Sequence, residues 1–155
     1  MLATSRASAA SSGGSSPGRR WASIVLPDPG GPTMSRLWEP AAATRSARFA
    51  RACHTANEYR LYALEGTLPR KPGLARVPNK GAAIEVEVWE IPIEGFGRFT
   101  QSVPRPFAIG NVVLENGETV KGFVCEPVAV MNAQDITQFG GWQAFLESAG
   151  KPVSE

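Results

Sequence analysis

The chain has 155 residues, of which 43% are hydrophobic and 19% charged, and its formal net charge is +2 at pH 7. This length and composition indicate a single globular domain. No apolar run approaches the roughly 18 residues that a membrane span needs, so we expect no membrane association. The spacing of Cys53, Cys125 and the single His54 offers no zinc site. The two cysteines could form a disulfide or remain as two reduced thiols. We favour reduced thiols in a cytoplasmic protein.

The first third of the chain differs in composition from the rest. Residues 1–56 contain seven arginines, no lysine and two acidic residues, whereas residues 57–155 contain nine basic and twelve acidic residues. The early residues are also rich in Ser, Ala, Gly and Pro without a sustained hydrophobic period. We therefore expect residues 1 to about 32 to be disordered. We place residues 1–48 outside a folded domain that spans residues 49–150.

Three interpretations of residues 1–48 compete. An arginine-rich start with no acid before Asp28 is typical of a transit peptide. The arginines could bind nucleic acid weakly, but they lack the aromatic and lysine partners that shape such a site. The interpretation that we favour is translation of GC-rich DNA from a wrong start or frame. The tract SSGGSS at residues 11–16 is similar to the nucleophile loop of amidase-signature enzymes, but no lysine base precedes Lys71, so we interpret it as a flexible tract.

The hydrophobic pattern becomes regular after this segment. Residues 59–64 (YRLYAL) alternate and predict a strand, whereas the prolines and glycines of residues 65–81 predict a long irregular loop. Residues 82–91 (AAIEVEVWEI) predict a second strand. One of its faces carries Ile84, Val86 and Val88; the other carries Glu85, Glu87 and Trp89. The two carboxylates indicate either a solvent-exposed face, which we favour, or a site.

The remaining elements alternate between helix and hairpin. Pro92 starts a helix whose apolar side carries Ile93, Phe96, either Phe99 or Thr100, and Val103, and the prolines at 104 and 106 end it. Asn116-Gly117 predicts a type I′ hairpin in which Glu115 faces Glu118 and Val113 faces Val120. Residues 135–150 (DITQFGGWQAFLESAG) predict a closing helix with a capping box formed by Asp135 and Gln138, and with a kink or close packing at its glycine pair.

This order of elements predicts an α+β fold. Antiparallel strands, a helix between the second and third strands and a closing helix suggest a small curled mixed or antiparallel sheet, or a barrel, with helices packed on it. An all-β or doubly wound fold agrees less well with this order.

Four stretches carry a resemblance to a known family. They read YRLYALEGTLPRKPGLARV, GAAIEVEVWEIPIEGFGRF, VPRPFAIGNVVLENGETVKGFVCEP and DITQFGGWQAF. In order and spacing they resemble the allophanate hydrolase C-terminal domain, whose fold is similar to that of the γ-glutamylcyclotransferases. The likeness runs from about Phe49 to Phe145, nearly two-thirds of the chain.

The resemblance implies a role in urea or s-triazine nitrogen degradation. In that family an N-terminal amidase domain removes ammonia from allophanate, and the C-terminal domain then helps to decarboxylate the N-carboxycarbamate product to ammonia and CO2. The amidase domain is absent from this sequence, so we expect no hydrolysis of allophanate by this chain alone. The alternative is a non-catalytic relic, or an oligomerisation or scaffold module for an amidase on another chain.

One departure from the family lies near the start of the chain. The family's domain opens with a strand and loop of the form Gly-x-His-Leu-x-Gly-x-Pro-Leu-Asn, whose histidine serves the decarboxylation. Residues 32–52 read PTMSRLWEPAAATRSARFARA and contain no histidine. We therefore expect the first strand to be degraded, and we interpret His54 as an exposed loop residue. The glutamate of γ-glutamylcyclotransferases is also absent from residues 101–110 (QSVPRPFAIG), which argues against cyclotransferase activity.

The resemblance also implies a substrate cavity lined by loops at strand ends. Lys71 or Arg105 would supply the positive charge that a small dicarboxylate requires, and backbone amides near Gly73 and Gly110 could meet a carboxylate because glycine permits close approach. The alternative interpretation of both segments is a pair of turns. The candidate substrate-binding residues are Tyr62, Lys71, Pro72, Gly73, Leu74, Arg105, Ile109 and Gly110. The expected partners are a small carboxylate substrate, an amidase-signature subunit and a second copy of the chain, with no cofactor, nucleic acid or membrane.

Overall fold

The computed structural model describes residues 20–27, 47–67 and 70–150. Its strands are β1 (Trp21–Leu26), β2 (Arg48–His54), β3 (Tyr59–Ala63), β4 (Pro72–Arg76), β5 (Glu85–Pro92), β6 (Phe107–Val113), β7 (Thr119–Cys125) and β8 (Gln134–Asp135). Its helices are α1 (Ile93–Ser102), α2 (Pro127–Val130) and α3 (Trp142–Gly150), with a 3₁₀ turn at Thr137–Phe139. The predicted α+β class is confirmed. Within these ranges no helix has the length and apolar character to cross a membrane.

The strands form two sheets. The larger sheet has the order β2-β5-β1-β7-β6, and the smaller has the order β4-β3-β8. The larger sheet curls until its two edge strands approach each other at one end, where Thr55 bridges Leu114 and the backbone N–H of Ala56 donates to the carbonyl of Val113 at 2.9 Å. The pairing between these edges does not continue through the described residues, so the sheet is curled rather than a closed barrel.

Strand β1 is a correction to the sequence analysis. We expected residues 1–48 to lie outside the fold and the first strand to be degraded. Instead, Trp21–Leu26 pairs antiparallel with β5 and parallel with β7, and Ile24, Val25 and Leu26 are fully buried. The physical reason is that β1 is a central strand, which buries both faces and therefore shows an apolar run instead of alternation. The parts of this expectation that concern residues 1–19 and 28–46, including SSGGSS and the expected site of the family histidine, lie outside the described residues.

Two apolar clusters lie on opposite faces of the larger sheet. The first packs the smaller sheet and α3 against one face and includes Val25, Val86 and Trp142. The second packs α1 against the other face through Phe99 and includes Ile24, Trp89 and Phe123. Gly122 permits the close approach of β1 to β7, because a Cβ built there would lie 2.8 Å from Val25 Cβ and 2.7 Å from Val112 Cγ2.

The loop that we predicted over residues 65–81 is also corrected by the structure. Residues 65–81 are not wholly irregular, since Pro72–Arg76 forms an edge strand and a proline is tolerated at the start of such a strand. The residues before Tyr59 also form a strand, β2, which the sequence analysis did not predict.

The hairpin between β6 and β7 differs from the expected turn. Val112, not Val113, pairs with Val120. Gly117 has a positive φ of 88° and its N–H donates to the carbonyl of Leu114, whose N–H donates to Glu118. This is a three-residue loop with a left-handed glycine, which shifts the register by one residue from a two-residue type I′ turn.

The closing helix is shorter than predicted. Asp135 accepts a hydrogen bond from the backbone N–H of Thr137 at 3.0 Å and starts a 3₁₀ turn that ends at Gly140, which has a φ of 78°. The α-helix begins only at Trp142. The glycine pair thus interrupts the helix, and a Cβ at Gly141 would approach Glu85 Cβ at 3.1 Å. Close packing at these glycines, one of the two outcomes that we expected, is confirmed.

Candidate functional site

A cavity of about 460 Å³ lies between the smaller sheet, the β6–β7 hairpin and α2. Its polar lining residues are Tyr62, Arg76 and Asn111. Its apolar lining comes from Ala75, Val77, Val124, Cys125, Pro127 and Val130. Gly110 completes the wall. The volume is within the range of small-molecule clefts, which are mostly apolar with a few polar groups that orient the ligand.

Two of the polar lining residues, Asn111 and Arg76, hold hydrogen bonds to neighbouring side chains. Asn111 Oδ1 accepts from Lys121 Nζ at 2.8 Å, so its amide NH₂ points away from that lysine. Arg76 Nε donates to Glu58 at 2.8 Å, which leaves the two terminal guanidinium nitrogens for other acceptors. Hydrogen bonding to Glu58 and its charge raise the pKa of Arg76 above its usual range. Arg76 is therefore a permanent cation at the edge of the cavity.

Lys71 lies directly before strand β4. Its Nζ is 5.6 Å from the centroid of the Phe107 ring, within the distance of a cation–π contact. Burial lowers the pKa of Lys71 below that of an ordinary lysine. The structure therefore brings the segment that begins at Lys71 beside the segment that follows Pro106.

The other predicted site residues have varied surroundings. Gly73 is buried, and a Cβ there would lie 2.8 Å from Leu64 Cδ2 and 3.0 Å from Cys125 Sγ, so this glycine serves packing between β4 and β7. Pro72 and Leu74 are buried. Ile109 packs on the second apolar cluster, and Arg105 is exposed.

The structure thus separates the predicted residues into two groups. Tyr62 and Gly110 line the cavity, whereas Lys71 lies against Phe107. Their assignment to a substrate stays a prediction.

The carboxylates of β5 do not form a solvated face. Glu85 is half-buried, and only 7% of Glu87 is exposed. Glu87 Oε2 accepts a hydrogen bond from Trp89 Nε1 at 2.9 Å, because β5 lies between β1 and β2 and both of its faces are covered. The preference for a solvent-exposed face was wrong for Glu87, which is a buried polar group with a hydrogen-bond donor at its side.

His54 and the two cysteines, Cys53 and Cys125, occupy structural positions. His54 lies at the end of strand β2 and not in a loop; it is exposed, as expected, with Nδ1 3.8 Å from Glu115 Oε2. Both cysteines are free. Burial raises the pKa of Cys125 to about 11, and its thiol donates to the carbonyl of Leu74 at 3.6 Å. A thiol with this pKa is not a nucleophile at neutral pH.

Sequence reasoning missed Arg76 and Asn111. Arg76 ends a strand that we interpreted as a loop, and Asn111 was hidden in the expected hairpin. Alternation gave no signal for Asn111, because its neighbours on the same face of β6 are the apolar residues Phe107, Ile109 and Val113.

Comparison with known proteins places these features in a family. The model of the allophanate hydrolase C-terminal domain matches residues 37–147, which begins upstream of Phe49. A urea amidolyase from Lachancea kluyveri is 44% identical over 97 residues, which are 60% of this chain and 5% of that protein. The chain therefore spans only a small part of this relative.

Solved structures show the same relationship. An allophanate hydrolase from Kluyveromyces lactis superposes with a TM-score of 0.73 at 34% identity, over 84% of this chain and 22% of that chain. A uropathogenic E. coli-specific protein superposes with a TM-score of 0.68 at 26% identity, over 83% of this chain and 97% of that chain. Because the family model covers well over half of the sequence and the fold agrees, this chain belongs to the allophanate hydrolase C-terminal domain family.

Proposed function

We propose that this domain binds N-carboxycarbamate and assists its decarboxylation, within the conversion of allophanate to ammonia and CO2. The pathway would serve the use of nitrogen from urea or s-triazines in the cytoplasm. The amidase step that produces the substrate would come from an amidase-signature unit. This partner is supported by the relatives, since the Kluyveromyces lactis allophanate hydrolase is a longer chain of which this one covers 22%.

The observation that carries the proposal is the placement of Lys71 beside Phe107. N-carboxycarbamate is a dianion, and a partly desolvated ammonium attracts it more strongly than a solvated one. The charge-assisted contacts that Lys71 provides are worth roughly 1.5–3 kcal/mol each. A site with two such contacts would bind a dicarboxylate in the millimolar to high-micromolar range.

The chemistry requires one proton. The C–N bond to one carboxylate breaks, CO2 leaves, and the electron pair of that bond stays on nitrogen, which takes up the proton to give carbamate. The Lys71 ammonium is the proposed donor, because its lowered pKa makes it a stronger acid than an ordinary lysine. Carbamate then breaks down to ammonia and CO2.

The test combines this chain with a separate amidase that cleaves allophanate but lacks a C-terminal domain. We expect the chain to accelerate CO2 release, and Lys71→Met to remove at least tenfold of that acceleration. Lys80→Met is the matched control, since Lys80 is exposed in the turn that follows β4. The rate should fall on the alkaline side at a pH below the usual pKa of lysine, because the reaction needs the protonated amine.

Two results would contradict the proposal. One is CO2 release at the same rate with and without the chain. The other is an effect that Lys71→Met leaves intact. If the chain does not accelerate CO2 release but associates with itself or with the amidase in sedimentation experiments, the alternative of an oligomerisation or scaffold module replaces the proposal. With allophanate and no amidase, we expect no ammonia.

A further inference from the structure

Lys71, the proposed proton donor, has both of its backbone groups bound within one turn. Its carbonyl accepts a hydrogen bond from the N–H of Leu64 at 3.0 Å, which extends the pairing of β3 with β4 by one residue beyond Ala63 and Pro72. Its own N–H donates to the hydroxyl oxygen of Thr67 at 3.0 Å. This second bond is made by a side chain, so a single substitution can remove it.

The conformation of the chain before Thr67 explains how its hydroxyl reaches Lys71. Residues 65 and 66 form a bend, and Gly66 has a positive φ of 78°. Glycine adopts this left-handed conformation at little cost because it has no Cβ. The bend brings a hydroxyl that is four residues earlier in the chain within hydrogen-bond distance of the Lys71 N–H.

Arg70 provides a second, weaker constraint on the same turn. Its Nη2 donates to Glu65 Oε1 at 2.7 Å, and its guanidinium carbon lies 6.0 Å from the centroid of the Phe145 ring of α3. The side chains of Arg70 and Glu65 are 40% and 68% exposed, and exposed ion pairs contribute little. The partly buried bond from Lys71 to Thr67 is therefore the more effective constraint on the lysine backbone.

The position of this backbone determines where the ammonium lies. Lys71 Nζ is 5.6 Å from the centroid of the Phe107 ring, close to the limit of about 6 Å for a cation–π contact. Burial lowers the pKa of Lys71, which agrees with an ammonium that is partly removed from water. A backbone shift of about 1 Å away from the ring would end the contact, and displacements of that size can lower a rate by about 100-fold.

We propose that Thr67 is a positioning residue, whose hydroxyl holds the backbone of Lys71 where the ammonium meets both the Phe107 ring and the substrate. The catalytic consequence of this inference rests on the proposed function, whereas the placement of Lys71 can be measured without it. Two substitutions isolate the hydroxyl. Thr67→Val keeps the shape of the side chain and removes the hydroxyl, and Thr67→Ser keeps the hydroxyl.

The first experiment measures the placement of Lys71 by NMR in the full chain without substrate. The ring current of Phe107 should shift the ε-methylene protons of Lys71, and Phe107→Leu should abolish this shift and so identify it. Thr67→Val should remove at least half of the shift, whereas Thr67→Ser should retain it. Thr100→Val is the matched control, since the Thr100 hydroxyl donates to the carbonyl of Phe96 at 2.9 Å within α1, and it should leave the shift unchanged.

The second experiment measures CO2 release by the same variants together with the separate amidase. We expect Thr67→Val to lower the acceleration about fivefold, as loss of one neutral hydrogen bond does. Thr67→Ser should restore most of the acceleration, and Thr100→Val should not change it. The loss in Thr67→Val should be smaller than that in Lys71→Met, because the ammonium is displaced and not removed.

The outcomes separate this inference from the proposed function. If Lys71→Met leaves CO2 release unchanged, the proposed function fails, while a reduced shift in Thr67→Val still supports the placement of Lys71 by Thr67. If Lys71→Met lowers the rate but Thr67→Val changes neither the shift nor the rate, the inference is wrong. Equal losses in Thr67→Val and Thr67→Ser would also overturn it, because they would show that the hydroxyl is not the group that matters.

Discussion

Strands β1 and β2 come from the same arginine-rich part of the chain and flank the same strand, β5, yet they have opposite surroundings. In β1, Ile24, Val25 and Leu26 are fully buried between β5 and β7. In β2, which forms an edge, Phe49 is 49% exposed. The comparison shows that the place of a strand in the sheet, more than its local composition, determines how much each residue stabilises the fold.

The two strands are also held by different forces. The residues of β1 leave water completely, and burial of apolar area is the main favourable term in folding. The β2 edge uses exposed ion pairs, from Arg48 to Glu90 at 2.8 Å and from Arg51 to Glu118 at 2.7 Å. Pairs of this kind contribute about 0–1 kcal/mol each.

The largest expected effect tests this contrast directly. Leu26→Ala removes a fully buried side chain and should lower the free energy of unfolding by about 2–5 kcal/mol. Phe49→Ala, the matched change in β2, should cost about 1 kcal/mol, because its ring is half exposed and keeps mainly an edge contact to Trp89. Urea unfolding of both variants gives the two values. Equal losses would mean that β1 is not part of the cooperative core.

A glycine at the β1–β7 contact should give an intermediate effect. Gly122→Ala places a Cβ within 2.8 Å of Val25 and should cost about 1–3 kcal/mol by overpacking. Gly97→Ala on α1 is the control, since no atom lies within 4 Å of its built Cβ. That change should stabilise the helix by up to about 1 kcal/mol. The comparison fails if Gly122→Ala unfolds at the same urea concentration as the unchanged chain.

The smallest expected effect comes from a comparison of two glutamates of β5, the buried Glu87 and Glu90, which faces the edge strand β2. Glu87→Gln exchanges the carboxyl acceptor for an amide at Trp89 Nε1 and should cost about 1 kcal/mol. Glu90→Gln removes only the exposed partner of Arg48 and should cost less than about 0.5 kcal/mol. Urea midpoints measure both changes, and the indole N–H resonance of Trp89 should move only in the Glu87 variant. A larger loss at Glu90 would show that the edge pair matters more than the buried bond.

Much of the fold could be predicted from local patterns. Alternation predicts β3 and β5, Pro92 marks the start of α1, and the glycines near residue 140 mark an interruption in the last helical segment. These predictions are correct because each depends on the period of the side chains or on the backbone preference of a single residue. The β4 strand was missed because its prolines resemble those of a loop, and an edge strand tolerates them.

The candidate site was harder to predict than the fold. Tyr62 and Gly110 were named from the resemblance, and they line the cavity. Arg76 could not be named, because its place among the lining residues requires β4 to exist and to lie beside α2. Asn111 requires the observed register of the hairpin, which differs by one residue from that of a two-residue turn.

The sequence by itself determined the α+β class, the family, the positions of α1 and the β6–β7 hairpin, and the apolar face of β5 that carries Val86 and Val88. Only the tertiary structure decided that β1 lies at the centre of the sheet, that Glu87 is buried beside Trp89, and that Arg76 and Asn111 are among the residues that line one cavity. The physical reason is that hydrophobic period and turn preference act over a few neighbouring residues. Burial of a carboxyl group and the lining of a cavity depend on contacts between strands far apart in the chain, such as β1 with β7 or β4 with β7.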